Sequence, residues 1–310
     1  MENSKIKDLI ILGAGPAGLT ASIYASRYKI DHLVLGAEVG GYLNEIHKIE
    51  NYPGFESITG FELAQKMAGH VRALGGEIIQ TEIKSIKKTD RGFDILADNQ
   101  TYQARNIIYS IGTSARKLNI PGEKEFVGKG VSYCATCDGP FFKDKTVVIV
   151  GGGNSAFMAA MILSGFAKRV LLFYRGEEAK LSAAPIYVEQ AKATKNIEVV
   201  CCTNLKEIKG EEKVSAVILD RPFEGKTEVA TDGVFIEIGS APNVALINGL
   251  GIETDQFGFI KVNADQSTNV IGFFAAGDIT TGSNGFRQII TACGEGAVAV
   301  LGVYRRMKSV

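Results

Sequence analysis

Lys7-Asp8-Leu9-Ile10-Ile11-Leu12-Gly13-Ala14-Gly15-Pro16-Ala17-Gly18 decides the fold. The apolar run Leu9 to Leu12 predicts a buried strand, and the residues from Pro16 to about Tyr28 have the spacing of an amphipathic helix. Between them stands G-x-G-x-x-G. Its first glycine permits a tight turn, its second lets a pyrophosphate approach the backbone, and its third lets helix and strand pack closely. Phosphates then face the amide groups of the helix N-terminus. His32-Leu33-Val34-Leu35 supplies the next strand and completes a β–turn–α–β unit. An acid ordinarily follows that strand and takes the ribose hydroxyls. Here Gly36 stands there, and the nearest acid is Glu38. Either Glu38 reaches back, or backbone and water serve the ribose.

The same grammar returns 138 positions later, from Gly13 to Gly151. Lys145-Thr146-Val147-Val148-Ile149-Val150 reads as a strand, Gly151-Gly152-Gly153-Asn154-Ser155-Ala156 as G-x-G-x-x-A, and a helix runs to about Phe166. Arg169 to Tyr174 is the second strand of that unit. Each unit also carries a meander of short strands. In the first these are Glu77–Ile83, Gly92–Leu96 and Thr101–Ala104, followed by the buried strand Asn106–Ile111 and its Gly112 turn. In the second they are Glu198–Cys202, Glu207–Lys209, Ser215–Leu219 and Thr227–Val229. A return segment offers strands at Gly258–Val262 and Val270–Ala276, a Gly277-Asp278 end, and a last helix from Phe286 to about Met307. The fold class is therefore α/β, with two Rossmann-like nucleotide-binding units, a boundary near Arg116 to Gly122 and a return segment after Gly239.

The 310 residues suit two domains, each able to bury a core. Lys plus Arg equals Asp plus Glu at 34 each, which gives no support for nucleic acid or an anionic membrane as partner. No run of roughly 18 apolar residues is present, so no membrane span is expected. The first residues lack a basic-then-apolar leader, and the expected location is the cytoplasm.

Five cysteines do not make a structural disulfide framework in a reducing compartment. Cys134-Ala135-Thr136-Cys137-Asp138 lies between the two glycine turns. A bare C-x-x-C is compatible with half of a zinc site or with a redox pair. Zinc wants four ligands, and the vicinal Cys201-Cys202 reads as strand packing, so no metal is expected. Cys293 reads as core. A pair opening a helix would have its thiolate favoured by free amide groups and the helix dipole. The residues His32, His47 and His70 read as structural or surface. Phe141 and Phe142, just past Pro140, are core or a docking surface, and the loop from Gly40 to Phe55 is expected to cover a ligand.

The order G-A-G-P-A-G, E-N-Y-P-G-F, I-G-T, C-A-T-C-D, G-G-G-N-S-A, A-A-G-D and R-Q resembles a low-molecular-weight thioredoxin reductase, a flavoprotein of the pyridine nucleotide disulfide oxidoreductase class. That resemblance covers nearly the whole chain. It implies two Rossmann-like (three-layer ββα) nucleotide-binding domains, the second inserted into the first, with bounds 1–115 plus 245–310 for the discontinuous domain and 116–244 for the insert. It implies FAD in the discontinuous domain, on Gly13, Gly15, Pro16, Ala17, Gly18, Gly41, Asn51, Gly112, Gly277, Asp278, Arg287 and Gln288. It implies catalysis by Cys134, Cys137 and Asp138: Cys137 on the flavin side, Cys134 attacking a thioredoxin-like partner's disulfide, and Asp138 managing the proton. A second dinucleotide, NADPH or a second flavin, would use Gly151, Gly153, Asn154, Ser155 and Arg175. A homodimer is implied as well.

One departure matters. In NADPH-using relatives a His-Arg-Arg-x-x-x-Arg cluster grips the 2′-phosphate. The equivalent run here is Tyr174-Arg175-Gly176-Glu177-Glu178-Ala179-Lys180. One arginine remains, a lysine replaces another, and two added acids repel a phosphate. The expectation is a thioredoxin-reductase-like enzyme with weak or no NADPH use, its electrons coming from ferredoxin or another donor. Ordinary NADPH use through Arg175 and Lys180 is the alternative. A ferredoxin–NADP reductase is opposed by the cysteine pair, and a flavin-bearing redox sensor by the intact Cys134, Cys137 and Asp138.

Overall fold

A computed structural model describes residues 6–46 and 49–309; His47 and the side chains of Thr136 and Cys137 lie outside the described residues. The chain forms two compact units, Met1–Ser114 with Ala241–Val310, and Ala115–Ser240.

In the first unit, Lys7–Leu12 lies between two parallel neighbours, His32–Gly36 and Gln100–Tyr109. Ile78–Gln80 extends the sheet beyond His32–Gly36, and Phe273–Ala275 pairs parallel with the far end of Gln100–Tyr109. Two expected strands, Thr101–Ala104 and Asn106–Ile111, are thus one long strand. Its first half pairs antiparallel with Gly92–Ala97, and its second half runs parallel beside Lys7–Leu12. The meander also includes Ile83–Thr89, paired with Gly92–Ala97. Its lysines, Lys84, Lys87 and Lys88, disguise a strand that buries little beyond Ile86. The expected strand Gly258–Val262 is only a pair of bridges at Ile260, to Thr254 and Thr280. Gly258 adopts φ +89°, which breaks the extended run.

Strand side chains alternate between two cores, as the period of two requires. Leu9 and Ile11 pack with Ala17, Ala21, Ala25, Val300 and Val303 on the helical face. Ile10 and Leu12 pack with Leu33, Ile95, Tyr109 and Phe273 on the meander face. Each buried Val, Leu, Ile or Phe among these contributes roughly 1.5–3 kcal/mol by leaving water. The helical face is built from Pro16–Arg27 and the C-terminal helix Ile289–Lys308. These approach closely because Gly296 has no side chain: a Cβ there would stand 2.2 Å from the Ala17 carbonyl oxygen.

The second unit repeats the plan in miniature. Its parallel sheet runs Ile197–Val200, Arg169–Phe173, Thr146–Val150, Gly233–Ile236, Val131–Ser132. Val147 and Ile149 face the helix Asn154–Ser164, and Val148 and Val150 face the three-stranded meander Leu205–Gly210, Val214–Phe223, Lys226–Ala230. A further helix, Pro185–Ala193, lies in a stretch given no element from sequence.

Candidate active site

The first glycine turn is shaped by backbone that meets backbone. Gly13 adopts φ +110°, and a Cβ on it would stand 2.3 Å from the Ser110 carbonyl oxygen. One on Gly18 would stand 1.8 Å from the Gly13 carbonyl oxygen. Ser110 Oγ donates to the Leu12 carbonyl at 2.9 Å, tying the two strand ends together. By contrast Gly15 and Gly41 are open: an added Cβ on Gly15 would meet only the Gly40 carbonyl, at 3.9 Å, and one on Gly41 only Gly15. Gly40 donates to the Ala14 carbonyl at 2.8 Å, so the loop returns over the turn as two residues without side chains. Gly36, where an acid was sought, packs on Ala14, with a Cβ at 2.9 Å from the alanine Cβ. Glu38 does not reach back: its carboxylate accepts from Asn44 Nδ2 at 2.7 Å.

The C-terminal segment converges on this turn. Gly277, at φ +85°, faces Ala17, with 3.0 Å between an added Cβ and the alanine Cβ. Its amide donates to Glu295 Oε2 at 2.9 Å, and Thr280 Oγ1 donates to the same oxygen at 2.8 Å. Ser283 Oγ donates to Glu295 Oε1 at 2.6 Å. Glu295 is therefore a buried brace for the Gly277-Asp278 bend, a role the sequence reading missed. A glutamate amid Ala292, Gly294, Gly296 and Ala297 on a core-facing helix is the signal that marks it.

Asp278 is half-buried and accepts no side-chain hydrogen bond among the described residues. Burial pushes its carboxyl up to about 6, Arg287 opposes this, and Glu295 adds to it. Arg287 Nε donates to the Asp278 carbonyl at 3.0 Å, and its guanidinium lies 3.7 Å from the Phe259 ring centroid. Asn51 Nδ2 donates to Gln288 Oε1 at 3.0 Å, joining two expected site residues across 237 positions. Gly112 adopts φ +74° with open space around it. A bare-backbone cradle beside a carboxylate without a donor fits a dinucleotide, whose phosphates need amides and whose sugar hydroxyls need acceptors.

The disulfide turn belongs to the second unit. Cys134 is half-buried and disulfide-bonded, and the side chain of Cys137 lies outside the described residues. The Cys134 amide donates to Ser132 Oγ at 3.0 Å, which fixes the entry to the turn. Ala135–Asp138 makes a single helical turn, with the Asp138 amide donating to the Cys134 carbonyl at 3.2 Å. It passes at once into the 3-10 turn Gly139–Phe142. A four-residue turn carries little dipole, so the thiolate stabilisation expected from a helix start is weaker than the sequence pattern promises. Next door, Tyr133 Oη donates to Glu123 Oε1 at 2.8 Å; Glu123 is buried and also accepts from the amides of Leu118 and Asn119. Phe142 is core, edge-on to Phe235, whereas Phe141 is 73% exposed.

The second glycine turn is filled. The ring of Tyr174 lies against Gly152, where a Cβ would stand 2.4 Å from Cδ2, and against Gly176, where it would stand 2.8 Å from the ring and hydroxyl. Ser182 and Ala183 donate to the Gly152 carbonyl at 3.0 and 3.2 Å. Asn154 Oδ1 accepts from the Ala184 amide at 2.7 Å. Ser155 and Arg175 are exposed. Lys180 pairs with Glu177 at 3.4 Å, and Glu178 pairs with Lys192. This set lacks the arginine forks that grip a 2′-phosphate: Arg175 is the one guanidinium in the run 174–180, and Lys180 is paired with Glu177.

Among the described residues no group of three or more His, Cys, Asp or Glu could hold a metal ion. Cys201, Cys202 and Cys293 are free. His32 bonds Ser22 and the Ile30 carbonyl, consistent with a structural role.

Residues 7–296 match the family model described as pyridine nucleotide-disulphide oxidoreductase. The chain is 42% identical over 306 residues to a thioredoxin reductase of Bacillus subtilis, covering 98% of this chain and 95% of that one. A thioredoxin reductase structure from Lactococcus lactis superimposes with TM-score 0.92 at 37% identity, covering 98% and 100%. A ferredoxin-flavin thioredoxin reductase structure from Clostridium acetobutylicum gives TM-score 0.53 at 33% identity, covering 98% and 99%. With its paired glycine turns and a disulfide between them, the chain belongs to the pyridine nucleotide-disulphide oxidoreductase family.

Proposed function

We propose that this FAD-dependent disulfide oxidoreductase passes an electron pair to the disulfide of Cys134 and Cys137, and from there to a thioredoxin-like protein, with a donor other than NADPH. The observation that carries the reading is the disulfide-bonded Cys134 on a tight turn that places Asp138 one helical turn away. FAD, when bound, supplies two electrons. Gly13, Gly15 and Gly18 would hold its pyrophosphate, and Asp278 would accept from a sugar hydroxyl, with Glu295 keeping the Gly277 bend in place. Pro16, Ala17, Gly41, Asn51, Gly112, Arg287 and Gln288 would complete that site.

Two electrons and two protons turn the disulfide into two thiols. Cys134, as thiolate, attacks one sulfur of the partner's disulfide; the partner's other sulfur leaves as thiolate. Cys137 then attacks Cys134 in the mixed disulfide, which restores the ring and releases the reduced partner. Asp138 carries the proton to the leaving sulfur. Phe141, exposed beside the turn, gives the partner an apolar contact. A ferredoxin-type protein is the donor class favoured, since the arginine cluster that holds a 2′-phosphate in NADPH-using relatives is reduced here to Arg175, with Lys180 paired to Glu177. The enzyme works as a cytoplasmic homodimer.

The test uses the yellow purified protein, reduced by dithionite or light and mixed with an oxidised thioredoxin-type protein. One dithiol per turnover is expected in the partner, with loss of more than a thousandfold in Cys134→Ser and in Cys137→Ser. Undiminished partner reduction in either variant would refute the scheme.

A further inference from the structure

We infer that the second glycine turn is closed by the chain's own Tyr174, and that this ring is the determinant that keeps a nicotinamide dinucleotide out. The inference deepens the donor reading above and stands apart from the disulfide chemistry.

Tyr174 directly follows the strand Arg169–Phe173, the position whose side chain ordinarily meets the adenosine ribose. Here that side chain is an aromatic plate turned onto the turn itself. It fits only because both residues beneath it are glycine: an alanine at 152 or 176 would overlap the ring. Gly176, standing where NADPH-using relatives have an arginine, therefore has a positive task. It forms one wall of the seat. The Tyr174 hydroxyl donates to the Lys180 carbonyl at 2.8 Å, anchoring the plate at its far edge. Residues 180–184 then cross the turn. Ser182 and Ala183 bond the Gly152 carbonyl, the Ser182 Oγ lies 3.4 Å from where a Gly153 Cβ would be, and Ala184 occupies Asn154 Oδ1. The Gly152 face that the ribose needs is covered by ring and strap, while Asn154 and Ser155 stay exposed at the helix start. A dinucleotide must displace the ring and break its anchoring bond as it enters.

The test is a titration of the flavin-loaded protein with NADPH and with NADH, read by equilibrium dialysis and nicotinamide fluorescence. The native protein is expected to show no saturable binding below millimolar concentration. Tyr174→Ala opens the seat and binds at least about tenfold tighter, NADH ahead of NADPH because the arginine cluster stays incomplete. Tyr174→Phe keeps the plate and stays closed. Micromolar binding to the native protein overturns the inference, as does a Tyr174→Ala protein that binds no better than native. Flavin absorbance confirms that each variant is folded, and Tyr174→Ser replaces the alanine variant should that one lose its flavin. Dithionite-driven reduction of an oxidised thioredoxin-type protein is measured alongside. Its failure with dinucleotides still excluded would sink the disulfide chemistry and leave the closed turn standing.

Discussion

Gly36 packs on Ala14 in the first turn; Tyr174 packs on Gly152 in the second. The two pairs occupy equivalent places, since Leu12 pairs with Leu35 in one sheet and Val150 with Phe173 in the other. The turn amides even make the same bond, Gly13 to Leu35 at 2.7 Å and Gly151 to Phe173 at 3.1 Å. Bulk has changed sides. Where the strand-end residue is small, the loop comes back as Gly40-Gly41 and leaves an open cradle. Where it is large, the turn beneath it is stripped of side chains and the ring fills the space. A glycine motif states that backbone can come close to something; what comes close is decided by neighbours outside the motif.

The largest effect expected from this difference is at the third motif position. Gly18→Ala places a methyl group 1.8 Å from the Gly13 carbonyl oxygen. We expect about 3 kcal/mol of destabilisation from overpacking, with flavin lost on purification. Ala156 occupies the matching place in the second turn and is fully buried, so Ala156→Gly costs about 2 kcal/mol, helix propensity plus one buried methyl group. Denaturant unfolding of both variants measures the contrast. Equal losses would mean the two turns are alike after all.

An intermediate effect is expected at Asp278. Its carboxyl is raised from the ordinary 3.8 to about 6, chiefly by burial. The folded apoprotein then holds a proton that the unfolded chain has released. Its stability accordingly falls as pH rises from about 4 to about 6 and stays at the lower level above that range. A bound cofactor hydroxyl donating to the ionised carboxylate reverses the preference, so flavin affinity rises with pH up to about 6, by no more than tenfold per unit. Asp278→Asn abolishes both slopes. Flavin dissociation constants that stay flat from pH 5 to pH 7 in the native protein would remove Asp278 from the site.

The smallest effect is expected at Arg175, in the closed turn. Arg175→Ala should change dithionite-driven partner reduction and weak nucleotide binding by less than about twofold, as for an exposed charge with no ion pair among the described residues. A large loss of NADPH binding would show that the arginine still grips a phosphate and that the second turn is open.

Much of this was readable from residue order. The G-x-G-x-x-G and G-x-G-x-x-A turns, each between an apolar strand and a helix, fixed both units, because turn chemistry is local. The meander around Ile83–Thr89 was not readable. Its lysines obey solvent exposure, and its pairing partners set it as a strand. Gly258–Val262 failed in the other direction: it has strand composition but, among the described residues, only isolated bridges at Ile260 and no ladder. Glu38 illustrates the limit at a site. Its distance along the chain from Gly36 invited a ribose contact, but Asn44 holds its carboxylate in the loop.

Sequence alone determined that two dinucleotide-type folds are present and that a C-x-x-C pair lies between them, since both are written in short-range patterns of glycine, apolar residues and cysteine. Tertiary structure decided which turn is open. That depends on Gly36 meeting Ala14, on Tyr174 meeting Gly152 and Gly176, and on Glu295 reaching the Gly277 amide. These are contacts between strand ends, loops and a distant helix, and close packing assigns each volume only after the chain has folded.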